Sequence, residues 1–444
     1  MIGEKVIIIL SFLLAFGVHA ENEISLPYQS EDLHLGVASC ASSTCHGAAS
    51  VLLGTNVQQN EYLVWQRDDP HATALRVLYN EQSKGIALRL GLGSPERADI
   101  CLDCHADHPT SAARGPRFQQ SDAIGCEACH GGAERWLDSH RMPNRTHAEN
   151  IADGLYPTAD TAARAQLCLS CHLGNADKPM THELLGAGHP PLLFELDTFA
   201  AILPSHYSFD EDYLARKPLA TGPQVWSIGQ AETARMMLAG LQTDERISSL
   251  RFPDFAFYKC EACHHAIYGS NYQEEARLGT KAGYPPLADA SLRMLLLVNE
   301  QLDAEDANTA LQHFRTLHQA ATVGSEDLSN AINNFSAFIN TLANRAGQHD
   351  YTEKDVTELL VRLSDPEGIL GKYRNYDEAE QTAMALALLL DYARRENYFT
   401  VEQVSAVEGA LDKIYSRLEE RAKYLPEGFL WSLAEFNKLI RASK

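Results

Sequence analysis

Ten cysteines fall into five pairs, and a histidine follows the second member of every pair. Four pairs read C-x-x-C-H: "CLDCH" (Cys101, Cys104, His105), "CEACH" (Cys126, Cys129, His130), "CLSCH" (Cys168, Cys171, His172) and a second "CEACH" (Cys260, Cys263, His264). The remaining pair, "CASSTCH" (Cys40, Cys45, His46), has the same ending with two more residues between the thiols. C-x-x-C-H is the spacing of c-type haem attachment. Two thiols reach the two vinyl groups on one porphyrin edge, and the next residue turns its imidazole to the iron. A disulfide framework does not require histidine after each pair, a zinc ribbon does not place it there, and a thioredoxin-type C-x-x-C occurs singly. The expected cofactors are therefore five covalently attached haem c groups. In the first motif the small, polar "ASST" is expected to bulge outward while both thioethers stay in place.

Each proximal histidine leaves one axial position on its iron, which electron-transfer haems fill with His or Met and which a catalytic haem leaves open. The remaining histidines of the cysteine-bearing region are His34, His71, His108, His140, His147, His182, His189, His206 and His265. His71 follows an aspartyl-proline turn in "RDDPHATAL", and His140 lies shortly after His130. His182 and His189 share "THELLGAGHPP", where glycines permit close backbone approach to a macrocycle. These four are the leading distal candidates, with His34 and His147 as further candidates for the fifth iron. Met142 and Met180 have weaker claims, and one haem with an open position stays an alternative. His313, His318 and His349, in the cysteine-free tail, are expected at the surface.

The first twenty residues, with the apolar run "VIIILSFLLAFGV" and "VHA" before Glu21, read as a cleaved export signal. A membrane anchor needs roughly 20 apolar residues, and no later segment is apolar enough to span. The expected location is the periplasm. The formal charge of −22 is spread along the chain, which argues against nucleic acid or an anionic membrane as partner. Other redox proteins fit better.

From about residue 286 the texture changes. Segments such as "LRMLLLVNEQL", "LSNAINNFSAFINTLANRA" and "AEQTAMALALLLDYARREN" repeat apolar residues at i, i+3, i+4 and i+7. Thr400 with Gln403 and Thr352 with Asp355 mark capping-box starts. The chain is therefore expected to be mainly α: a signal at 1–20, a pentahaem cytochrome c domain at 21–285 with short helices and loops around stacked haems, and an antiparallel helical bundle at 286–444. The apolar stripes read first as the bundle's own core; oligomerisation through the tail stays open.

The haem region resembles the multihaem cytochromes of the cytochrome c-554 type. The likeness is carried by "VASCASSTCHG", "WQRDDPHATA", "CLDCHA", "AIGCEACHGGAERWLDSH", "LCLSCH", "THELLGAGHP" and the late "CEACH", over roughly residues 34–268. It implies haems packed in parallel and perpendicular pairs, as in hydroxylamine oxidoreductase and pentahaem nitrite reductase, mostly with two histidines per iron, and electron passage in the periplasm. The sequence departs from the tetrahaem pattern in its fifth haem, its C-x₄-C-H motif and its long tail, so donor and acceptor do not carry over. It also lacks the C-x-x-C-K with which pentahaem nitrite reductases attach their catalytic haem. The expected function is electron relay between redox partners rather than catalysis. The alternatives are an oxidoreductase acting on a small nitrogen or sulfur compound at a five-coordinate haem, and a structural subunit docked through the tail.

Overall fold

A thiol spacing of three residues suits a single helical turn, which sets positions i and i+3 on one side. The helices that carry the cysteine pairs are accordingly short. A computed structural model describes residues 25–443 apart from 54–56, 218, 244–252, 265–277, 281–282, 304, 324–325, 368–372 and 374. The export signal at 1–20 and His265 lie outside the described residues. The first part of the chain forms α1 (Glu61–Asp68), α2 (Glu81–Arg89), α3 (Asp99–His105), α4 (Cys126–His130), α5 (His147–Ala152), α6 (Thr161–His172), α7 (His182–Gly186), α8 (Leu196–Ile202), α9 (Glu211–Arg216) and α10 (Gly222–Thr243). The tail forms α11 (Ala290–Leu302), α12 (Ala307–Val323), α13 (Glu326–Gln348), α14 (Glu353–Leu363), α15 (Tyr376–Arg395), α16 (Val401–Tyr415) and α17 (Pro426–Ala442). The fold is mainly α; among the described residues there is no strand, only two isolated bridges, His34 with Arg114 and Tyr258 with Leu287. None of the described helices is long and apolar enough to cross a membrane.

Both capping boxes of the tail are formed. Thr352 starts α14 and Thr400 starts α16, each accepting from a backbone N–H three residues on while that residue's side chain returns to the cap. Successive tail helices pack on one another, α11 on α12, α12 on α13, α14 on α15 and α16 on α17. The periodic apolar stripes face inward as that packing requires, with Leu296, Phe314, Phe335, Leu359, Leu389 and Phe436 all buried.

Apolar packing is distributed unevenly. Within the haem-motif region it is confined to small groups, such as Leu75, Leu78 and Leu102, or Leu26 with Tyr156. The large core surrounds the tail helices, and it also takes in Trp226, Leu238 and Leu241 of α10. Helix α10 packs on α13 on one side and on α6, which ends in the Cys168–Cys171 motif, on another. It buries one apolar face in the tail core and sets Val225 in a separate apolar group with Ala165 and Leu169 of α6.

A buried ionic cluster makes a second join. Lys259, immediately before Cys260, places its ammonium 2.6 Å from Glu378 and 3.1 Å from Asp289. The Arg293 guanidinium lies 3.0 Å from both carboxylates. Burial works against the charge on Asp289, but Arg293 and Lys259 outweigh it and hold the carboxyl well below its usual range. The expected surface position of His318 is corrected here. Its ring is buried, with Nε2 3.2 Å from Asp289 and Nδ1 accepting from the Leu287 amide.

Candidate haem-binding sites

The five cysteine pairs reach similar local geometry by different routes. Three end in helices α3, α4 and α6. At the last motif a 3₁₀ turn, Cys260–Ala262, does the same work, and the His264 amide donates to the Cys260 carbonyl at 2.7 Å. In "CASSTCH" the His46 amide donates to the Cys40 carbonyl at 3.1 Å, closing the same first-cysteine-to-histidine contact across two extra residues. Ser42, Ser43 and Thr44 are exposed, and Cys45 and Gly47 both donate to the Ser42 carbonyl. The insertion bulges into solvent and leaves the two ends of the motif together. None of the ten cysteines is joined in a disulfide.

Each of the five histidines that follow a cysteine pair faces one other histidine. Ring centres are 6.2 Å apart in His46–His140, 6.5 Å in His105–His189, 6.1 Å in His130–His206, 6.1 Å in His172–His71 and 6.1 Å in His264–His182. Two imidazoles bound to one metal from opposite sides need about 2 Å per metal–nitrogen bond and about 1.1 Å from nitrogen to ring centre, hence about 6.2 Å in all. The observed separations match this, and they are too long for direct hydrogen bonds between the rings. The donor set therefore fits five haem irons, each with two imidazoles. The ring planes are nearly parallel in His46–His140 (16°) and His182–His264 (25°), and nearly perpendicular in His71–His172 (89°) and His130–His206 (88°).

Hydrogen bonds at the far nitrogens set the orientation of several of these rings. Nδ1 of His46 meets Glu61 at 3.0 Å and Nδ1 of His71 meets Asp69 at 2.9 Å. Nδ1 of His105, His140 and His189 each meets a backbone carbonyl, of Ala74, Trp136 and Pro190. In all five the engaged nitrogen is Nδ1, which leaves Nε2 for a metal. Burial pushes His130 and His172 down to about 4, keeping both in the neutral form that ligates.

The expected pairs of His71, His140, His182 and His189 with proximal histidines are brought together, but the fifth partner differs from expectation. His206, set in the loop "LPSHYSF", occupies that place. His34 does not, because both of its nitrogens are engaged: Nδ1 with Asp107 at 2.8 Å and Nε2 with the Pro27 carbonyl at 3.3 Å, in a fully buried pocket. His147 begins α5, where Thr146 caps the helix, and forms no ring contact with any of the five. His108 turns its Nδ1 to Asp103. Neither glycine nor an aspartyl-proline turn marks His206, so only the arithmetic of five irons pointed to an additional ligand.

The sites adjoin one another. The Cys40 and Cys126 side chains adjoin, as do those of Cys104 and Cys171. Cys129 lies near Cys168 and Cys171. His182 and His189, which serve different pairs, bracket the single helix α7. Buried Glu127, inside the Cys126–His130 motif, holds the chain that leads into the first motif, since its carboxylate accepts from the amides of Leu35, Gly36 and Ala133.

No curated protein and no solved structure matches the chain. A family model matches residues 39–131, about a fifth of the chain, which hold the first three cysteine pairs. That segment is similar to the family described as cytochrome c554 and c-prime, a likeness that supports a multihaem c-type cytochrome with covalently bound haem c and a role in electron transfer.

Proposed function

We propose that the chain is an exported, pentahaem c-type cytochrome that relays electrons between redox partners in the periplasm. The observation that carries this reading is the set of five histidine pairs at 6.1–6.5 Å, one for each cysteine pair. His46, His105, His130, His172 and His264 would be the proximal ligands. His140, His189, His206, His71 and His182 would be their respective distal partners. Bound haem supplies the one-electron Fe(III)/Fe(II) couple. The protein's part would be to hold the paired imidazoles oriented, to exclude other ligands, and to keep neighbouring attachment sites in contact. The adjoining side chains link the first four cysteine pairs, and a haem packing related to that of hydroxylamine oxidoreductase and pentahaem nitrite reductase belongs to the same reading.

The experiment is electron paramagnetic resonance of the oxidised, fully loaded protein, with and without cyanide. Low-spin signals alone, unchanged by cyanide, are expected. A high-spin fraction near one iron in five that converts on cyanide addition would instead favour an oxidoreductase with an open haem.

A further inference from the structure

Of the ten paired rings, His46 and His71 alone among the described residues present Nδ1 to a carboxylate. The other braces are neutral: the carbonyls of Ala74, Trp136 and Pro190. Neither carboxylate is a chance surface contact. Glu61 is mostly buried and its second oxygen accepts from the Gln59 amide at 3.1 Å. Asp69 is mostly buried and caps the turn that carries His71, accepting from the His71 amide at 2.9 Å. A charged acceptor draws the Nδ1 proton more strongly than a carbonyl does, so the ring gains imidazolate character and becomes the more basic ligand. A more basic axial ligand stabilises the oxidised iron over the reduced one.

We propose that Glu61 and Asp69 are potential-setting residues that make the His46–His140 and His71–His172 sites the two of lowest potential in the chain. The inference rests on the bis-histidine reading above. Because the two braced pairs differ in ring orientation, 16° against 89°, they are spectroscopically separable. Nearly parallel imidazoles split the iron's π-symmetry d orbitals and give a rhombic low-spin signal. Nearly perpendicular ones leave those orbitals close in energy and give a single feature at large g.

The test is a redox titration of the loaded protein followed by electron paramagnetic resonance, in wild type, Glu61→Gln and Asp69→Asn. Both substitutions keep an oxygen acceptor and remove its charge. In wild type the lowest-potential transitions should comprise one rhombic and one large-g signal. Glu61→Gln should raise only the rhombic one and Asp69→Asn only the large-g one. In each case the ratio of reduced to oxidised iron at fixed potential should rise about tenfold, equivalent to about 59 mV for one electron. No shift, a downward shift, or a shift in the other signal class overturns the assignment while leaving the bis-histidine reading intact. A wild-type spectrum without low-spin signals would overturn that underlying reading instead.

Discussion

His206 faces His130 with 6.1 Å between ring centres and the planes almost perpendicular, from backbone that belongs to no helix. Its partner lies half-buried at the end of α4, while His206 arrives from far along the chain between α8 and α9. Substituting His206→Ala should therefore free one axial position and leave the other four pairs untouched. The expected result is conversion of about one iron in five to a high-spin form, with cyanide or carbon monoxide binding to that fraction only. His147→Ala should leave the spectrum unchanged.

Lys259 couples the last haem motif to the tail. Removing its charge by Lys259→Met would leave Glu378 and Asp289 buried with less compensation, a change that typically costs about 3–5 kcal/mol. Denaturant unfolding should read that loss. The ion pairs of Arg421 with Asp377 and Glu261 brace the same motif from the tail, so weakening this joint should also lower the haem content at Cys260 and Cys263 before it affects the other sites.

The buried pair His34–Asp107 predicts a pH dependence. Burial opposes the charged imidazole, but the hydrogen bond and charge of Asp107, with a contribution from Glu127, hold His34 above its ordinary value. Its stabilisation is thus fully present below the unfolded value of about 6.5 and is lost as pH rises through the folded one. The wild-type unfolding midpoint should fall as pH is raised from about 6.5, and Asp107→Asn should flatten that part of the profile.

Cutting the chain after residue 285 should not release a folded haem module. Trp226, Leu238 and Leu241 of α10 are wholly buried in one core with the tail helices, and truncation would present that apolar face to water. Size-exclusion chromatography should show aggregation of the 21–285 fragment. In the full chain Trp226→Ala should cost about 3–5 kcal/mol.

The attachment chemistry was legible in the sequence because it is local. Cys101, Cys104 and His105 come together through one helical turn, and the capping boxes at Thr352 and Thr400 are equally short-range. The tail's helices were legible for a related reason: a stripe at 3.6-residue period records which face must be buried. The role of α10 was not, since Val225 or Leu238 carries no mark of which partner helix will cover it.

The histidines that face the motif histidines divide along the same line. His71 and His182 stand beside turns or caps that present a side chain locally, whereas His206 has no such cue and His34, beside the first motif, looked the better candidate. What separates them is decided in three dimensions: Asp107 and the Pro27 carbonyl occupy both nitrogens of His34, and the path of the chain after α8 delivers His206 to His130. By itself the sequence determined the five cysteine–histidine motifs and the helical character of the tail, because each is encoded within a turn or two of chain. Only the tertiary structure decided which remote histidine meets which site, which rings a carboxylate braces, and how Lys259 and α10 join the tail to the haem-binding part, because those contacts depend on packing between segments distant in sequence.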